Sequence, residues 1–541
     1  MFYKVDMKKI FVVLTVCAMM CSCSKKLDVA PPNNITDEQI QALLAKGDPA
    51  TIQLILGSLA NNMPLLINSG TTGGFGSDDR YNNVQGLMAM RNLESNDIVF
   101  GNRPLTIFGG DEYRFLDFIS SGVDKNSPYW GYSWNLITAA NTLLNYLDDN
   151  TVGSNVKLQE YKARALTLRA YAYNFLMENY QDAYLQGGKS KLGVPLYDFY
   201  SPIQESKARA TAEETYAFIK NDLNRAFQLF TSAGITYTTG VLTDFDLAVV
   251  GFLQTKVALH TGDWPTAIAK ANEVLSKYPT LMTESVYGGK NIGTQVAPEI
   301  RPDQNGFLNI NVNPEVIFGF PVGQAVNVHV GWMNPFGEGN GGLGEGYQRI
   351  DNRLYDKISA NDFRKSVFVE GAWGNYAYPT SGAVRNIPSY INLKFAATHG
   401  IGGGTDKKLV NTAMTCYYMR VSEVLLMKAE AQAQASTDPS AAKATLNTLL
   451  AARTKQGQTA LTCDTYPSMA GLTALQMVQL QTRIELWGEG GREFYNNKRW
   501  NIPVDRTSST NHVDKSTYPV AKMTLQIPLD EMLYNGKSVQ N

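Results

Sequence analysis

The feature that most constrains the fold of this chain is a series of apolar stripes with the spacing of α-helices. In each stripe, apolar residues recur every three or four positions, so they line one face of a helix. Such a face must be covered by another helix, and from Tyr129 onward the stripes come in consecutive pairs. Examples are Leu136, Ala140, Leu143 and Leu147; Ala165, Leu168, Ala172 and Phe175; and Tyr216, Ile219, Leu223, Ala226 and Phe230, the last preceded by a capping box of Thr211 and Glu214.

Two of the helix pairs are similar to tetratricopeptide repeats. The string ALHTGDWPTAIAKANEVLSKYP has small residues where two helices would cross closely, and it ends at the helix-stopping Pro279. Its His260 is expected to be a core histidine. The second pair starts with YYMRVSEVLLMKAEAQAQA and continues after Asp438 and Pro439, which suit the N-cap and first turn of a partner helix. These units bury their apolar faces by stacking, which predicts one curved α-helical layer acting as a scaffold.

A stretch between Asn68 and Tyr113 interrupts this pattern with dense Gly, Asn and Asp. Long loops inside a folded protein are either functional or disordered. This one carries Arg80 and Tyr81 among its glycines. We therefore predict that these two residues contact a ligand.

Residues 281–412 form a second irregular stretch, with short predicted strands at 315–320 and 390–395. Its aromatic residues lack the helical spacing of core residues, which favours an exposed or groove-lining role; packing of the loops themselves is the alternative. The aromatic residues predicted to bind ligand here are Trp332, Phe336, Tyr347 and Trp373.

The N-terminus has the pattern of a lipoprotein signal. Lys8 and Lys9 precede an apolar run, residues 10–20, which is too short to span a bilayer and suits a secretory signal. Cys23 follows a small residue at the place where cleavage and acylation would occur, with plain cleavage as the alternative. The Pro-rich residues 25–34 have the character of a tether.

At 541 residues the chain has room for about three domains or for one large interlocked unit. We predict a signal peptide at 1–22, a tether at 23–34 and a helical N-terminal part at 35–280. The loop-rich subdomain at 281–412 is expected to face the ligand, and 413–541 to form a C-terminal helical part. The expected fold class is mainly α, with a tetratricopeptide-like scaffold and a few short strands.

Composition and motifs exclude several functions. The 48 basic and 49 acidic residues nearly balance, which argues against nucleic-acid binding. No phosphate-binding loop, nucleophile elbow or zinc motif is present, so we expect no enzyme, no cofactor and no metal. Carboxylates that meet only in space could still hydrolyse a glycoside. Cys416 and Cys463 could form a disulfide or remain as two thiols.

The segment LTALQMVQLQTRIELWGEGGREFYNNKRW, residues 472–500, closes the helical pattern. Met477, Leu480, Ile484 and Trp487 line one helix face, and glycines then end the helix. The structural interpretation is a terminal helix fixed by an arginine and carboxylate network built on Glu485 and Glu489. The arrangement IELWGEGGR followed by KRW also resembles the closing signature of the SusD/RagB family of surface nutrient-binding lipoproteins. Asn496 and Asn497 stand where that signature usually carries an Asp.

The resemblance extends over most of the chain from Cys23 to Asn541. Further blocks similar to the family, in family order, are YWGYSWNLITAANTLL, KARALTLRAYAYNFLMENYQDAY before GVPLY, AEETYAFIKNDLNRAF, NPEVIFGF, RVSEVLLMKAEA and LQIPLDEMLYNGKSVQN. The two irregular stretches match least.

This resemblance implies a lipid-anchored protein of the outer membrane, facing the cell exterior. It implies that the protein binds an oligosaccharide or polysaccharide without catalysis and delivers it to a SusC-like TonB-dependent transporter. Aromatic side chains with amide or charged neighbours suit sugars, which offer apolar faces and hydroxyls. A RagB-like peptide-binding lipoprotein is the near alternative, and a secreted hydrolase is the distant one.

Overall fold

α-Helices form most of the regular structure. The computed structural model describes residues 42, 49–69, 81, 83–101, 110–116, 126–321, 328–338, 342–399 and 415–541. The helices of these residues are α1 (Pro49–Ser69), α2 (Val84–Leu93), α3 (Gly110–Tyr113), α4 (Ser127–Leu144), α5 (Asp149–Val152), α6 (Val156–Tyr180), α7 (Ala212–Ser232), α8 (Leu247–Thr261), α9 (Trp264–Leu275), α10 (Val328–Met333), α11 (Asn352–Lys357), α12 (Val421–Ala435), α13 (Ser440–Ala452), α14 (Ala474–Glu485), α15 (Arg492–Trp500) and α16 (Leu529–Tyr534).

The long helices stack one on the next. Helix α6 packs against α4 and α7, α7 against α8, and α8 against α9. Helix α9 then contacts α12, which also packs against α13 and α14. The prediction of a mainly α-helical scaffold of helical pairs is confirmed.

Local sequence explains where helix α7 starts and how closely α8 and α9 approach each other. The predicted capping box of α7 is present: Thr211 Oγ1 accepts from the Glu214 amide at 3.1 Å, and Glu214 Oε2 accepts from the Thr211 amide at 2.8 Å. Between α8 and α9, a Cβ added at Gly251 would lie 2.8 Å from Val274 Cγ2. The glycine therefore permits the close helix crossing that the repeat pattern predicted.

Short antiparallel strands join distant parts of the chain. β1, β3, β7 and β4 form a sheet in that order, β2 pairs with β8, β5 with β6, and β9 with β10. Residues 316–320 and 391–392 confirm the two strands expected from sequence. The strands are β1 (Ile98–Phe100), β2 (Val316–Phe320), β3 (Gln348–Ile350), β4 (Phe368–Val369), β5 (Gly374–Ala377), β6 (Val384–Ile387), β7 (Ile391–Asn392), β8 (Cys416–Arg420), β9 (Val504–Asp505) and β10 (Thr517–Tyr518).

Three predicted helix boundaries are wrong. Leu147 lies beyond the end of α4, and Trp487 lies beyond the end of α14. The sequence placed Tyr418 on the helix that follows, but Tyr418 lies in β8, and α12 begins only at Val421. Strand β2 is buried along its whole length and needs a partner for its backbone groups, which β8 supplies. Aromatic side chains also favour a strand here.

Cys416 and Cys463 are free and buried, so they do not form the disulfide that the sequence left open. Burial raises the pKa of both thiols to about 11, which keeps them protonated at neutral pH. Cys23, the predicted signal peptide at 1–22 and the tether at 23–34 lie outside the described residues.

The predicted boundaries at 280/281 and 412/413 stay predictions. Strands do cross them, because β1 pairs with β3 and β2 pairs with β8. Among the described helices, none is long and apolar enough to cross a membrane.

Candidate ligand-binding face

The predicted ligand-binding aromatic residues lie in two hydrophobic cores. Tyr81 and Trp332 belong to the main core, where the Tyr81 hydroxyl donates to Glu112. A smaller second core in the loop-rich part brings the other three together; they are Phe336, Tyr347 and Trp373. Trp332, at 8% exposure, is the most accessible of the five. The expectation that these side chains are exposed is wrong, and Arg80 lies outside the described residues.

Edge-to-face ring contacts build the second core. The Phe336 ring centroid lies 4.9 Å from that of Trp373 and 5.2 Å from that of Tyr376. Tyr376 in turn lies 4.9 Å from Tyr378 at an interplanar angle of 82°. This geometry places the positive edge of one ring against the negative face of the next. The rings therefore stabilise one another as a packed unit.

Hydrogen bonds from the ring polar groups fix this core to the surrounding loops. The Trp373 indole donates to the Gln295 carbonyl at 3.0 Å, and the Tyr378 hydroxyl donates to the Pro335 carbonyl at 2.9 Å. Burial raises the pKa of Tyr376 to about 12. Alternation was the signal that could have revealed this packing, because Tyr376 and Tyr378 are two residues apart and share one face of an extended chain.

The hairpin of β5 and β6 covers this core and presents polar groups on its outer side. Asn375 and Asn386 are exposed and directly opposite each other in the antiparallel register. Side chains opposed in this way have Cβ atoms about 5 Å apart. Two carboxamides at that spacing offer paired donors and acceptors suited to neighbouring hydroxyl groups of a ligand. Sequence reasoning missed this pair because the register was unknown.

Charged side chains fix the hairpin to its surroundings. Arg385, on β6, forms an ion pair with Glu345 at 3.0 Å. Arg385 is opposite the buried Tyr376 in the register and next to Asn386, so it lies on the other side of the hairpin from the amide pair. Glu338 accepts a hydrogen bond from the Thr380 amide in the hairpin turn at 2.5 Å. These contacts and the aromatic residues of the second core keep the hairpin in place.

The closing segment holds a buried network of charges. Glu485 Oε1 accepts from Arg420 Nη1 and Arg453 Nη2, both at 2.8 Å, and its other oxygen accepts from Arg364 Nη1 at 3.0 Å. Glu489 accepts from Arg420 Nε at 2.7 Å. All these side chains are almost fully buried. The structural interpretation of this segment is confirmed.

Electrostatics in this network favour charged carboxylates. Burial alone would raise the pKa of Glu485, but Arg453 and Arg420 outweigh burial and hold that pKa well below its usual value. Arg420 also donates to Glu315 at 2.7 Å, which links β8 to the start of β2. The network therefore joins the two halves of the scaffold.

Glycines allow the turn between α14 and α15. Gly488, Gly490 and Gly491 have φ angles of 73°, 66° and 76°, a region that favours glycine. A Cβ at Gly491 would lie 2.3 Å from the Arg91 Cβ. Beyond the turn, the Arg499 guanidinium lies 5.5 Å from the centre of the Trp500 ring.

In the described part of the chain, we find no group of three or more His, Cys, Asp or Glu side chains that could hold a metal.

Stacked helical pairs with a loop-rich polar face define the class of the protein: a helical-repeat scaffold of the SusD-like kind. The chain belongs to the SusD/RagB family. Residues 272–535 match the SusD family model, and residues 84–240 match a family described as "Starch-binding associating with outer membrane".

Solved structures share this fold across nearly the whole chain. A SusD-like carbohydrate binding protein from Bacteroides vulgatus is 20% identical, with 89% of this chain and 96% of that chain covered and a TM-score of 0.64. A laminarin binding SusD-like protein is 20% identical over 90% and 98% of the two chains, with a TM-score of 0.59. Surface glycan-binding protein A from Bacteroides thetaiotaomicron is 17% identical over 94% and 99%, also with a TM-score of 0.59. No curated protein is detectably similar.

Proposed function

We propose that this protein binds a glycan at the cell surface and delivers it to a TonB-dependent transporter. The observation that carries this proposal is the shared fold, over about nine-tenths of the chain, with proteins whose names state laminarin or surface glycan binding. The family description of residues 84–240 also names starch. The exposed Asn375 and Asn386 pair supplies chemistry that suits sugar hydroxyls.

The protein acts as a lipoprotein of the outer membrane, facing the cell exterior. The sequence pattern around Cys23 supports acylation at that residue. The matching family description, which places its members in association with the outer membrane, supports the location. A lipid anchor keeps binding protein and transporter on one surface, which raises their effective concentration.

The transporter partner is a SusC-like barrel, and this protein closes over it with the nutrient bound. The protein performs no chemistry on the glycan. The absence of catalysis is supported by the family, because SusD-like proteins bind carbohydrates and are not catalytic. A RagB-like peptide binder and a secreted hydrolase are the competing functions.

The ligand contacts the outer side of the β5–β6 hairpin, and Arg80 is retained as a predicted ligand-contact residue. Phe336, Tyr347 and Trp373 are buried in the second core beneath this face and support it. Tyr81 and Trp332 lie in the main core and are retained with them as predicted site residues.

Thermal-shift and calorimetric screens of the purified protein against glycans and peptides test the function. We expect binding to one class of glycan. Replacing both Asn375 and Asn386 by Ala should weaken that binding by about tenfold, because two hydrogen bonds contribute about 1–3 kcal/mol. The matched control is Asn311→Ala, an exposed asparagine far along the chain from the hairpin.

The possible outcomes separate the competing functions. Binding of peptides with no response to any glycan would replace the proposal with a peptide-binding function. Release of reducing ends from a glycan by the purified protein would establish a hydrolase. Glycan binding that is unchanged in the double variant would leave the function standing and remove the hairpin from the site.

A further inference from the structure

A cleft lies on the side of the scaffold formed by α4, the chain after α6 and the C-terminal helix α16. Its volume is about 320 Å³, which is within the range of about 300–1,000 Å³ for small-ligand sites. None of the residues predicted from sequence to bind ligand lines it. The lining residues are Trp134, Ile137, Thr138, Asn141, Tyr197, Phe199, Tyr200, Ser201, Gln204, Ser206, Glu531, Tyr534 and Asn535.

Aromatic rings dominate the walls of this cleft, and several are accessible. Phe199, Tyr200 and Tyr534 are 48%, 38% and 82% exposed. Trp134 and Tyr197 are partly buried and contact each other, with ring centroids 5.5 Å apart. Exposed apolar side chains that lie together in one patch are typical of interaction sites and ligand-binding grooves. Their flat faces suit the apolar faces of sugar rings.

Hydrogen bonds hold the aromatic wall in position before any ligand binds. Asn141 donates to the Tyr197 carbonyl at 2.9 Å, and Asn145 donates to the Tyr200 carbonyl at 2.7 Å. The Asp198 carbonyl accepts from Arg169 at 3.0 Å. Because the backbone is fixed by side chains of α4 and α6, a ligand meets a preformed surface and less entropy is lost on binding.

The same hydrogen bonds disfavour an extended peptide as the ligand. A peptide that adds along a strand pairs with free backbone groups. Here the carbonyls of residues 197–200 all accept protein donors, including that of Phe199 from Asn141 at 3.4 Å. Recognition in this cleft must therefore use side chains.

The polar side chains of the cleft suit hydroxyl groups. Glu531 accepts from Asn535 at 2.7 Å and keeps further acceptor capacity, since a carboxylate can accept about four hydrogen bonds. Gln204, Ser201 and Thr138 add amide and hydroxyl groups. The indole N–H of Trp134, a residue that lines the cleft, is buried and has no hydrogen-bond partner in the described structure.

Charge narrows the class of ligand. Glu531 is the one acidic residue among the lining residues, and no Lys or Arg is among them. Lys207 lies beside the rings of Tyr197 and Phe199, but it is already paired with Asp198 at 3.7 Å. A uronate or a sulfated sugar would therefore meet the Glu531 carboxylate without an unpaired cation, which costs free energy. A neutral sugar meets no such penalty.

We propose that this cleft is a second carbohydrate site, separate from the loop-rich face, and that it binds a short segment of a neutral oligosaccharide. The inference rests on the proposed glycan-binding function and adds a place and a ligand class to it. Two sites on one molecule can engage one long glycan together, which raises overall affinity without new contacts at either site.

Calorimetric titration of the purified protein with malto-oligosaccharides, laminarin oligosaccharides and oligogalacturonate tests the inference. The variant carries Tyr200→Ala together with Tyr534→Ala, which remove exposed rings and leave the backbone hydrogen bonds intact. We expect the affinity of the cleft for the neutral ligand to fall at least tenfold, with oligogalacturonate not bound there. The control is Val296→Ala, an 81% exposed side chain outside the cleft, and an unchanged melting temperature confirms folding of each variant.

Each outcome either supports or overturns the second site. Loss of one binding step in the cleft variant, and of a different step in the Asn375 and Asn386 variant, supports two sites. Unchanged glycan binding in the cleft variant overturns the cleft site while the proposed function stands. Cleft variants that bind glycan normally but no longer copurify with the transporter also overturn it. No glycan binding by the unmodified protein would refute the proposed function and the cleft site with it.

Discussion

At the scale of single residues, the closing segment concentrates charge where water is excluded. Glu485 accepts hydrogen bonds from three arginines in the core. One of them, Arg420, also donates to Glu315 and to Glu489. Buried ions of this kind are costly unless each is paired and hydrogen-bonded. The network satisfies that condition, so its members depend on one another.

We expect Glu485→Gln to lower the free energy of unfolding by about 3–5 kcal/mol, because it removes one buried counter-charge that Arg364, Arg420 and Arg453 share. The measurement is urea denaturation followed by circular dichroism. The matched control is Asp464→Asn, which breaks the pair of Lys443 with a 74% exposed carboxylate and should change stability by about 1 kcal/mol or less. An equal effect of both substitutions would contradict the structural role of the network.

The lowered pKa of Glu485 predicts how the stability of the protein depends on pH. In the folded protein the pKa of Glu485 is held well below its ordinary value of 4.5. The unfolded chain therefore binds the proton more readily, and this stabilisation is complete above about pH 4.5 and lost as pH falls. Urea midpoints measured from about pH 7 to about pH 3 should fall less steeply in Glu485→Gln than in the unmodified protein.

At the scale of secondary-structure elements, local signals set the ends of helices while packing set the ends of strands. Helix α7 begins where the Thr211 and Glu214 capping box satisfies two free amides. Strand β8 gives no comparable local signal. It is a strand because β2 lies beside it.

We predict that Thr211→Ala destabilises the protein by about 1 kcal/mol, because the Glu214 amide loses its acceptor. Thr211→Ser keeps the hydroxyl oxygen and should be nearly neutral. Thermal unfolding of both variants checks this prediction. A loss of the same size in the serine variant would show that the methyl group, rather than the cap, stabilises the helix start.

At the scale of the whole molecule, the parts interlock. Strand β1 from the N-terminal part joins a sheet with strands of the loop-rich part, and Arg420, which follows the second irregular stretch, pairs with Glu315 inside it. Such cross-connections favour one interlocked unit over three independent domains, the two possibilities that length left open.

We therefore expect a single calorimetric unfolding transition for the purified protein. Phe336→Ala in the second core and Glu485→Gln in the charge network should lower the temperature of that same transition, the first because a buried aromatic truncation costs about 3–5 kcal/mol. Two separable transitions, each sensitive to only one substitution, would show that the loop-rich part unfolds as its own domain.

The sequence by itself determined the helical scaffold, the capping box, the charge network on Glu485 and Glu489, and membership of the family. The helical faces and the capping box depend on spacing within one segment, since residues three or four apart on a helix meet whatever the rest of the chain does. For the charge network the sequence indicated the carboxylates, but the tertiary structure brought Arg364, Arg420 and Arg453 to Glu485. Only the tertiary structure decided that Phe336, Tyr347 and Trp373 are core residues, and that residues 416–420 form a strand. It alone assembled the amide pair and the aromatic cleft. Burial, register and cavities depend on segments far apart in the chain, and no local pattern encodes which of those segments meet.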